Sequence, residues 1–316
     1  MLLKNTKAVF LDASTLGDTD MSPISSILEE FIAYERTKLD HVVDRCMGYP
    51  IVITNKVPLN RDDLANLPDL QLICVAATGV NHIDMAACEE MKIKVKNVSG
   101  YSTDSVAQST FNLLLHSLHN NAYYDRYTKN GDWSLSPIFT NLKFPFVELK
   151  GKTWGIVGLG QIGERVAEIA KAFGCHVVYT STSGKNKNDR WEKVDLKKMM
   201  EVADIVSIHC NLTTETEALI HFDVLKLAKR KPMLINVARG PIVVEEDIVT
   251  ALKEDYISNY AADVLFIEPP QRDHIFFSDN EIKNKVFITP HIAWSSVEAR
   301  KRLVEGIRNN ILETYG

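Results

Sequence analysis

Cysteine is scarce and unpaired in this chain. Cys46, Cys74, Cys88, Cys175 and Cys210 are an odd number, widely spaced, and no C-x-x-C pair occurs among them. That pattern supports neither a disulfide framework nor a zinc site, and reduced cysteines used as small hydrophobic side chains account for it. Basic charge is not in excess. Lys and Arg number 36 against 41 Asp and Glu, the net charge is −5, and the basic residues are scattered, so a phosphate-backbone partner has no electrostatic footprint. The first residues, Met1-Leu2-Leu3-Lys4-Asn5, lack the apolar region of a signal peptide, and no apolar run approaches membrane-spanning length. The expectation is a cytoplasmic protein with no metal, no membrane association and no nucleic-acid partner. Internal repeats and low-complexity tracts are absent too.

What is present points to two compact domains. The chain has 316 residues, 45% hydrophobic and 24% charged, which is twice the usual domain length at ordinary globular composition. Short β-rich apolar runs alternate with helical periodicity, the pattern of an α/β protein with parallel sheets and crossover helices. The first series predicts strands over 8–11, 51–54, 72–76 and 93–95, with a helix over 27–35 between the first two. The second predicts six strands, over 153–157, 176–179, 204–209, 233–236, 260–264 and 286–288, enough for two mononucleotide-binding halves. Two doubly wound parallel-sheet domains follow. Between the series lies an apolar helix over 105–118, then a Gly131-Asp132-Trp133 turn, and the chain is expected to cross between domains near Gly100. An amphipathic helix over 297–315 exceeds a seventh crossover and is expected to return to the first domain.

Gly158-Leu159-Gly160-Gln161-Ile162-Gly163 matches G-x-G-x-x-G, directly after a predicted strand and opening a helix over 162–173. In that context the first glycine permits a tight turn, the second lets the backbone approach a pyrophosphate, and the third allows close helix–strand packing. The helix N-terminus would face the phosphates. At the end of the next strand a carboxylate would select NAD by pairing with the ribose hydroxyls. The sequence there reads Thr180-Ser181-Thr182-Ser183-Gly184-Lys185, hydroxyls and a cation suited to a 2′-phosphate, so NADP is predicted over NAD. Three polar residues follow later strands: Arg239 in Asn236-Val237-Ala238-Arg239-Gly240, Glu268 before Pro269, and His291 after Pro290. Carboxyl ends of parallel strands face the ligand crevice, so the three can meet although distant in sequence.

Together these residues resemble the D-2-hydroxyacid dehydrogenase family. Supporting blocks are 77–84 (ATGVNHID), 97–102 (NVSGYS), 105–108 (SVAQ) and 149–153 (LKGKT), so the resemblance spans nearly the whole chain. The block at Gln108 and His291-Ile292-Ala293-Trp294 look most like the glycerate dehydrogenase (hydroxypyruvate reductase) branch. The resemblance implies hydride transfer between NAD(P)H and a small 2-keto acid such as hydroxypyruvate or glyoxylate. It implies a flavodoxin-like substrate domain, 1–99 completed by 291–316, and a Rossmann domain over 100–290. It also implies a homodimer built through the segment after the crossover.

His291 would be the proton donor, because an imidazole exchanges protons near neutral pH, and Glu268 would be its partner. Arg239 would grip the substrate carboxylate with its planar fork and polarise the keto oxygen. Backbone N–H groups of Gly79 and Val80 would bind the same carboxylate, with Lys56 and Trp294 shaping substrate choice. Cofactor contacts fall to Gly158, Gly160, Gln161, Ile162, Thr180, Ser181, Thr182, Lys185, Ala238 and Ser105, and Asp263 would accept from the nicotinamide carboxamide. A formate dehydrogenase is disfavoured by Glu268, since that branch uses a Gln–His pair. Phosphoglycerate dehydrogenase stays open, although its frequent regulatory domain has no room here. A nicotinamide-sensing corepressor shares the site residues and differs by turnover. A methyltransferase would leave Arg239, Glu268 and His291 unexplained.

Overall fold

The computed structural model describes residues 3–186 and 188–316. The chain divides into two compact units, Met1–Ser102 with Trp294–Gly316, and Thr103–Ala293. In the first unit five parallel strands, β1 (Leu3–Phe10), β2 (Leu28–Ala33), β3 (Ile51–Thr54), β4 (Leu72–Val75) and β5 (Lys94–Asn97), lie in the order β2-β1-β3-β4-β5. This is the flavodoxin-like order. Every residue of β3 and β4 is buried, which is why their sequences run apolar without alternation. The helix Val297–Tyr315 buries Ala299, Leu303, Val304, Ile307 and Ile311, one stripe at helical spacing, in the cluster that holds Phe10, Ile53 and Leu72. Ser296 caps its start by accepting the Ala299 N–H.

The helix predicted over 27–35 is a strand. Ile27, Leu28, Phe31 and Ile32 carry helical spacing, but β2 pairs in parallel with β1 from Leu3–Leu28 through Phe10–Ala33, and its backbone groups find partners there. Glu30 supports the edge by pairing with Lys7 at 2.6 Å and accepting from the Tyr49 hydroxyl. Tertiary pairing overrode the local pattern.

The second unit carries seven parallel strands, β6 (Thr153–Val157), β7 (His176–Thr180), β8 (Glu192–Lys193), β9 (Ile205–Ile208), β10 (Met233–Asn236), β11 (Asn259–Ala262) and β12 (Val286–Ile288). Their order is β12-β11-β10-β9-β6-β7-β8, the doubly wound dinucleotide-binding arrangement. Six had been expected; β8 is a two-residue edge strand beside β7, too short for a periodic signal. The strand order reverses between β6 and β9, so a ligand crevice belongs at the carboxyl ends of those strands. The helix Thr103–Leu118 buries Val106, Ala107, Phe111, Leu113 and Leu114, with Phe111 stacked on Phe173 and tilted against Trp154. Among the described residues no helix is long and apolar enough to cross a membrane.

Candidate active site

The glycine turn after β6 divides its labour by sterics. Gly158 has φ 91°, and a Cβ there would lie 2.6 Å from the Cys210 backbone nitrogen, so only glycine fits. A Cβ on Gly163 would lie 2.3 Å from the Gly158 carbonyl oxygen, so the helix Gln161–Ala172 sits tight against the turn. Gly160 differs: a Cβ there would meet nothing within 4 Å. Its open flank lies at the start of the helix, whose first N–H groups, including those of Gln161 and Ile162, have no intrahelical acceptor. That combination fits a pyrophosphate.

At the end of β7 the predicted hydroxyl set is partly committed. Thr180 donates its hydroxyl proton to the Val194 carbonyl at 2.9 Å, and its own carbonyl accepts the Gly158 N–H. A hydroxyl has one proton, so Thr180 has none left for a phosphate. Ser181 accepts from the Asn186 N–H at 3.4 Å and keeps its proton, Thr182 is half-buried beside it, and Lys185 is exposed. Asn186 donates to the Leu159 carbonyl, tying this loop to the glycine turn.

The carboxyl ends of β10, β11 and β12 carry the three polar residues singled out from the sequence, Arg239, Glu268 and His291. After β10, fully buried Asn236 accepts the Ala238 N–H at 3.0 Å and donates to the Arg239 carbonyl at 2.9 Å, which fixes the turn that presents Arg239. The Arg239 guanidinium donates to the Ala238 carbonyl at 2.7 Å and is half-buried. Gly240 follows because a Cβ there would stand 2.0 Å from the Leu265 carbonyl group. The Arg239 turn is thus in backbone contact with the loop after β11.

That loop ends in Glu268. One carboxylate oxygen accepts the Leu265 N–H at 2.9 Å, and the other lies 2.5 Å from His291 Nδ1. A carboxylate on Nδ1 fixes the orientation of the ring. His291 has φ 54°, a left-handed conformation that costs a non-glycine residue about 1–2 kcal/mol. Asp263 holds the backbone there. Its carbonyl accepts the His291 N–H, and its carboxylate accepts from the Thr289 hydroxyl at 2.6 Å and from the Ile292 and Ala293 N–H groups at 2.9 and 2.7 Å. Burial pushes the Asp263 carboxyl above the usual carboxylate range, opposed by those hydrogen bonds and by the nearby His291 ring. Asp263, expected at the nicotinamide, also holds the His291 turn through its carboxylate. Ser105 behaves alike, donating to the Ala293 carbonyl at 2.6 Å.

The remaining substrate candidates lie in the first unit. Gly79 and Val80 occupy the loop after β4, and Lys56 the loop after β3, where its N–H donates to the buried Asp12 carboxylate at 2.7 Å. Trp294 packs on the core and meets Tyr101 edge-on at 6.2 Å. Sequence reasoning missed Asn236, Gly240 and Thr289, which act on the backbone of the reactive residues and carry no motif of their own.

A family model described as "D-isomer specific 2-hydroxyacid dehydrogenase, NAD binding domain" matches residues 111–293. The chain belongs to this family. The hydroxypyruvate reductase of Blautia hydrogenotrophica is 34% identical, with 97% of this chain and 96% of the relative covered. The glycerate dehydrogenase of Methylorubrum extorquens is also 34% identical, over 96% of this chain and 95% of its own. Among solved structures, an acyclic imino acid reductase (Bsp5) in complex with NADPH and D-Arg superimposes with a TM-score of 0.85 at 26% identity, covering 98% and 97% of the two chains. This 2-hydroxyacid dehydrogenase is therefore an NAD(P)-dependent oxidoreductase, as its motifs led one to expect.

Proposed function

We propose that this dehydrogenase reduces hydroxypyruvate or glyoxylate to the corresponding hydroxy acid, with NADPH preferred over NADH. The observation that carries the reaction type is the 2.5 Å His291–Glu268 pair on the carboxyl edge of a dinucleotide-binding sheet. The reduced nicotinamide, when bound, supplies the hydride. His291 then delivers a proton from Nε2 to the developing alkoxide while Glu268 steadies the charged ring. Arg239 holds the substrate carboxylate in a two-point contact and polarises the keto oxygen. Gly158, Gly160, Gln161 and Ile162 cradle the pyrophosphate, and Ala238 lines the cofactor path. Gly79, Val80, Lys56 and Trp294 are assigned to substrate by family resemblance, which makes the first unit the substrate domain and the second the nucleotide domain. The named substrates rest on the hydroxypyruvate reductase and glycerate dehydrogenase relatives.

The cofactor preference rests on Ser181, Thr182 and Lys185 standing where a carboxylate would exclude a 2′-phosphate. The NADPH-bound Bsp5 structure supports it. A homodimer is supported by Trp133, Leu135, Ile138, Phe139, Leu142, Phe146 and Val147, large apolar side chains all exposed within one short segment. Five free, buried cysteines accord with a reducing, cytoplasmic setting. A panel of 2-keto acids assayed with NADH and NADPH, on the wild type and Ser181→Asp, tests the reading. Hydroxypyruvate or glyoxylate should show the highest kcat/KM. Ser181→Asp should lower kcat/KM with NADPH by about tenfold or more and spare NADH, as expected when a charge-assisted contact is replaced by repulsion. Equal wild-type values and an unmoved ratio would remove the phosphate-reading loop.

A further inference from the structure

A second acid–imidazole pair lies beside the first. Glu245, the first residue of the helix Glu245–Lys253, and His274 are 11% and 12% exposed and meet at 3.1 Å between Oε2 and Nε2. His274 Nδ1 accepts the Phe276 N–H at 3.3 Å, so the ring proton sits on Nε2 and is donated to Glu245. The other Glu245 oxygen accepts the Phe266 N–H at 3.0 Å.

Phe266 belongs to the loop that carries Glu268, and its main chain packs against the Gly240 turn. The side chains of Phe266 and Ile267 are 57% and 60% exposed, so apolar burial does not fix them. Two successive amides are instead each taken by a carboxylate: Leu265 N–H by Glu268 itself, and Phe266 N–H by Glu245. A chain of contacts therefore runs from His274 to Glu245, across the 265–266 backbone, to Glu268 and on to His291.

We propose that Glu245, oriented by His274, is a positioning residue for proton transfer: it fixes the loop from which Glu268 holds His291. This rests on the reading of His291 as proton donor. Without the Glu245 carboxylate the Phe266 amide exchanges a fixed acceptor for mobile water, the loop shifts, and the short Glu268–His291 contact lengthens. Misplacement by about 1 Å costs on the order of a hundredfold in rate.

The test uses the intact enzyme, NADPH and hydroxypyruvate, with kcat, KM, cofactor Kd, Tm and the pH profile of kcat measured together. Glu245→Ala should lower kcat by about tenfold or more, with KM and cofactor Kd within about twofold of wild type. Its kcat–pH profile should change in the same direction as that of Glu268→Gln. Glu245→Gln keeps an oxygen for the Phe266 amide and should recover part of the rate. His274→Phe should show the same split of kcat from KM in weaker form, and serves if Glu245→Ala does not fold. Unchanged kcat and pH profile in a folded variant would overturn the proposal, as would a joint loss in which kcat and Tm fall while KM and cofactor Kd rise. Failure of the functional reading is distinct: the wild type itself would then reduce none of the 2-keto acids.

Discussion

Gly240→Ala is the smallest substitution that tests whether the Arg239 turn and the Glu268 loop form one unit. The added Cβ would lie 2.0 Å from the carbonyl carbon and oxygen of Leu265 and 2.4 Å from the Phe266 nitrogen. Ordinary carbon contacts need about 3.5–4.0 Å, so the two backbones must separate by about 1.5 Å. No flexible side chain can absorb that, because every atom met is main chain. Overpacking of this kind costs about 1–3 kcal/mol, which lowers Tm by several degrees without unfolding a unit of this size. The effect on rate is larger. Arg239 precedes the substituted residue, and the Leu265 N–H is bound by Glu268, so both reactive groups move. Since about 1 Å of displacement costs on the order of a hundredfold, kcat/KM should fall by that much or more while cofactor affinity changes little. Steady-state nicotinamide absorbance gives the first quantity, titration of the cofactor the second and thermal unfolding the third. Wild-type kcat/KM in Gly240→Ala would show that the turn and loop are not mechanically joined.

Three further outcomes follow from the same contacts. His291→Ala should reduce kcat by about two to four orders of magnitude with cofactor Kd nearly unchanged, and near-normal turnover would remove His291 from the chemistry. Arg239→Lys keeps the charge but not the planar fork, so the keto-acid KM should rise and kcat fall; a fully active lysine enzyme would refute the two-point contact. Burial pushes the His209 imidazole from its ordinary 6.5 down to about 3, so the unfolded chain binds the proton first. Stability is then fully present above about pH 6.5 and lost as pH falls toward 3, at about 1.4 kcal/mol per pH unit at most, and His209→Asn should flatten that slope in urea titrations.

What could be read from the sequence divides along a physical line. The strands β3, β4, β9 and β10 are buried along their whole length, so each declared itself as a mostly apolar run without alternation. The glycine motif was legible because Gly158 and Gly163 answer to backbone atoms a few residues away in the same turn, or to the strand beside it. Two of the four edge strands were not legible. β2 is paired on one side only and carries Glu29 and Glu30, and β8 has two residues, so neither shows a period that separates strand from helix or loop.

The site divides in the same way. His291, Glu268 and Arg239 could be singled out because each follows a strand whose end faces a crevice, and position in an α/β alternation is a sequence property. Their support could not. Glu245 reaches Phe266 across 21 residues and His274 across 29, and Asp263 reaches Ala293 across 30. Such bonds leave no mark on composition or spacing, since any strand-end acid is equally able to face solvent, a ligand or a neighbouring turn. Asp263 makes the distinction concrete. Its place after β11 marked it as a residue of the site, but only the hydrogen bonds from Thr289, Ile292 and Ala293 assign its carboxylate to the left-handed His291 turn. The sequence therefore carries the identity of the polar groups at the strand ends, whereas the angle at which they are presented is a property of the folded backbone.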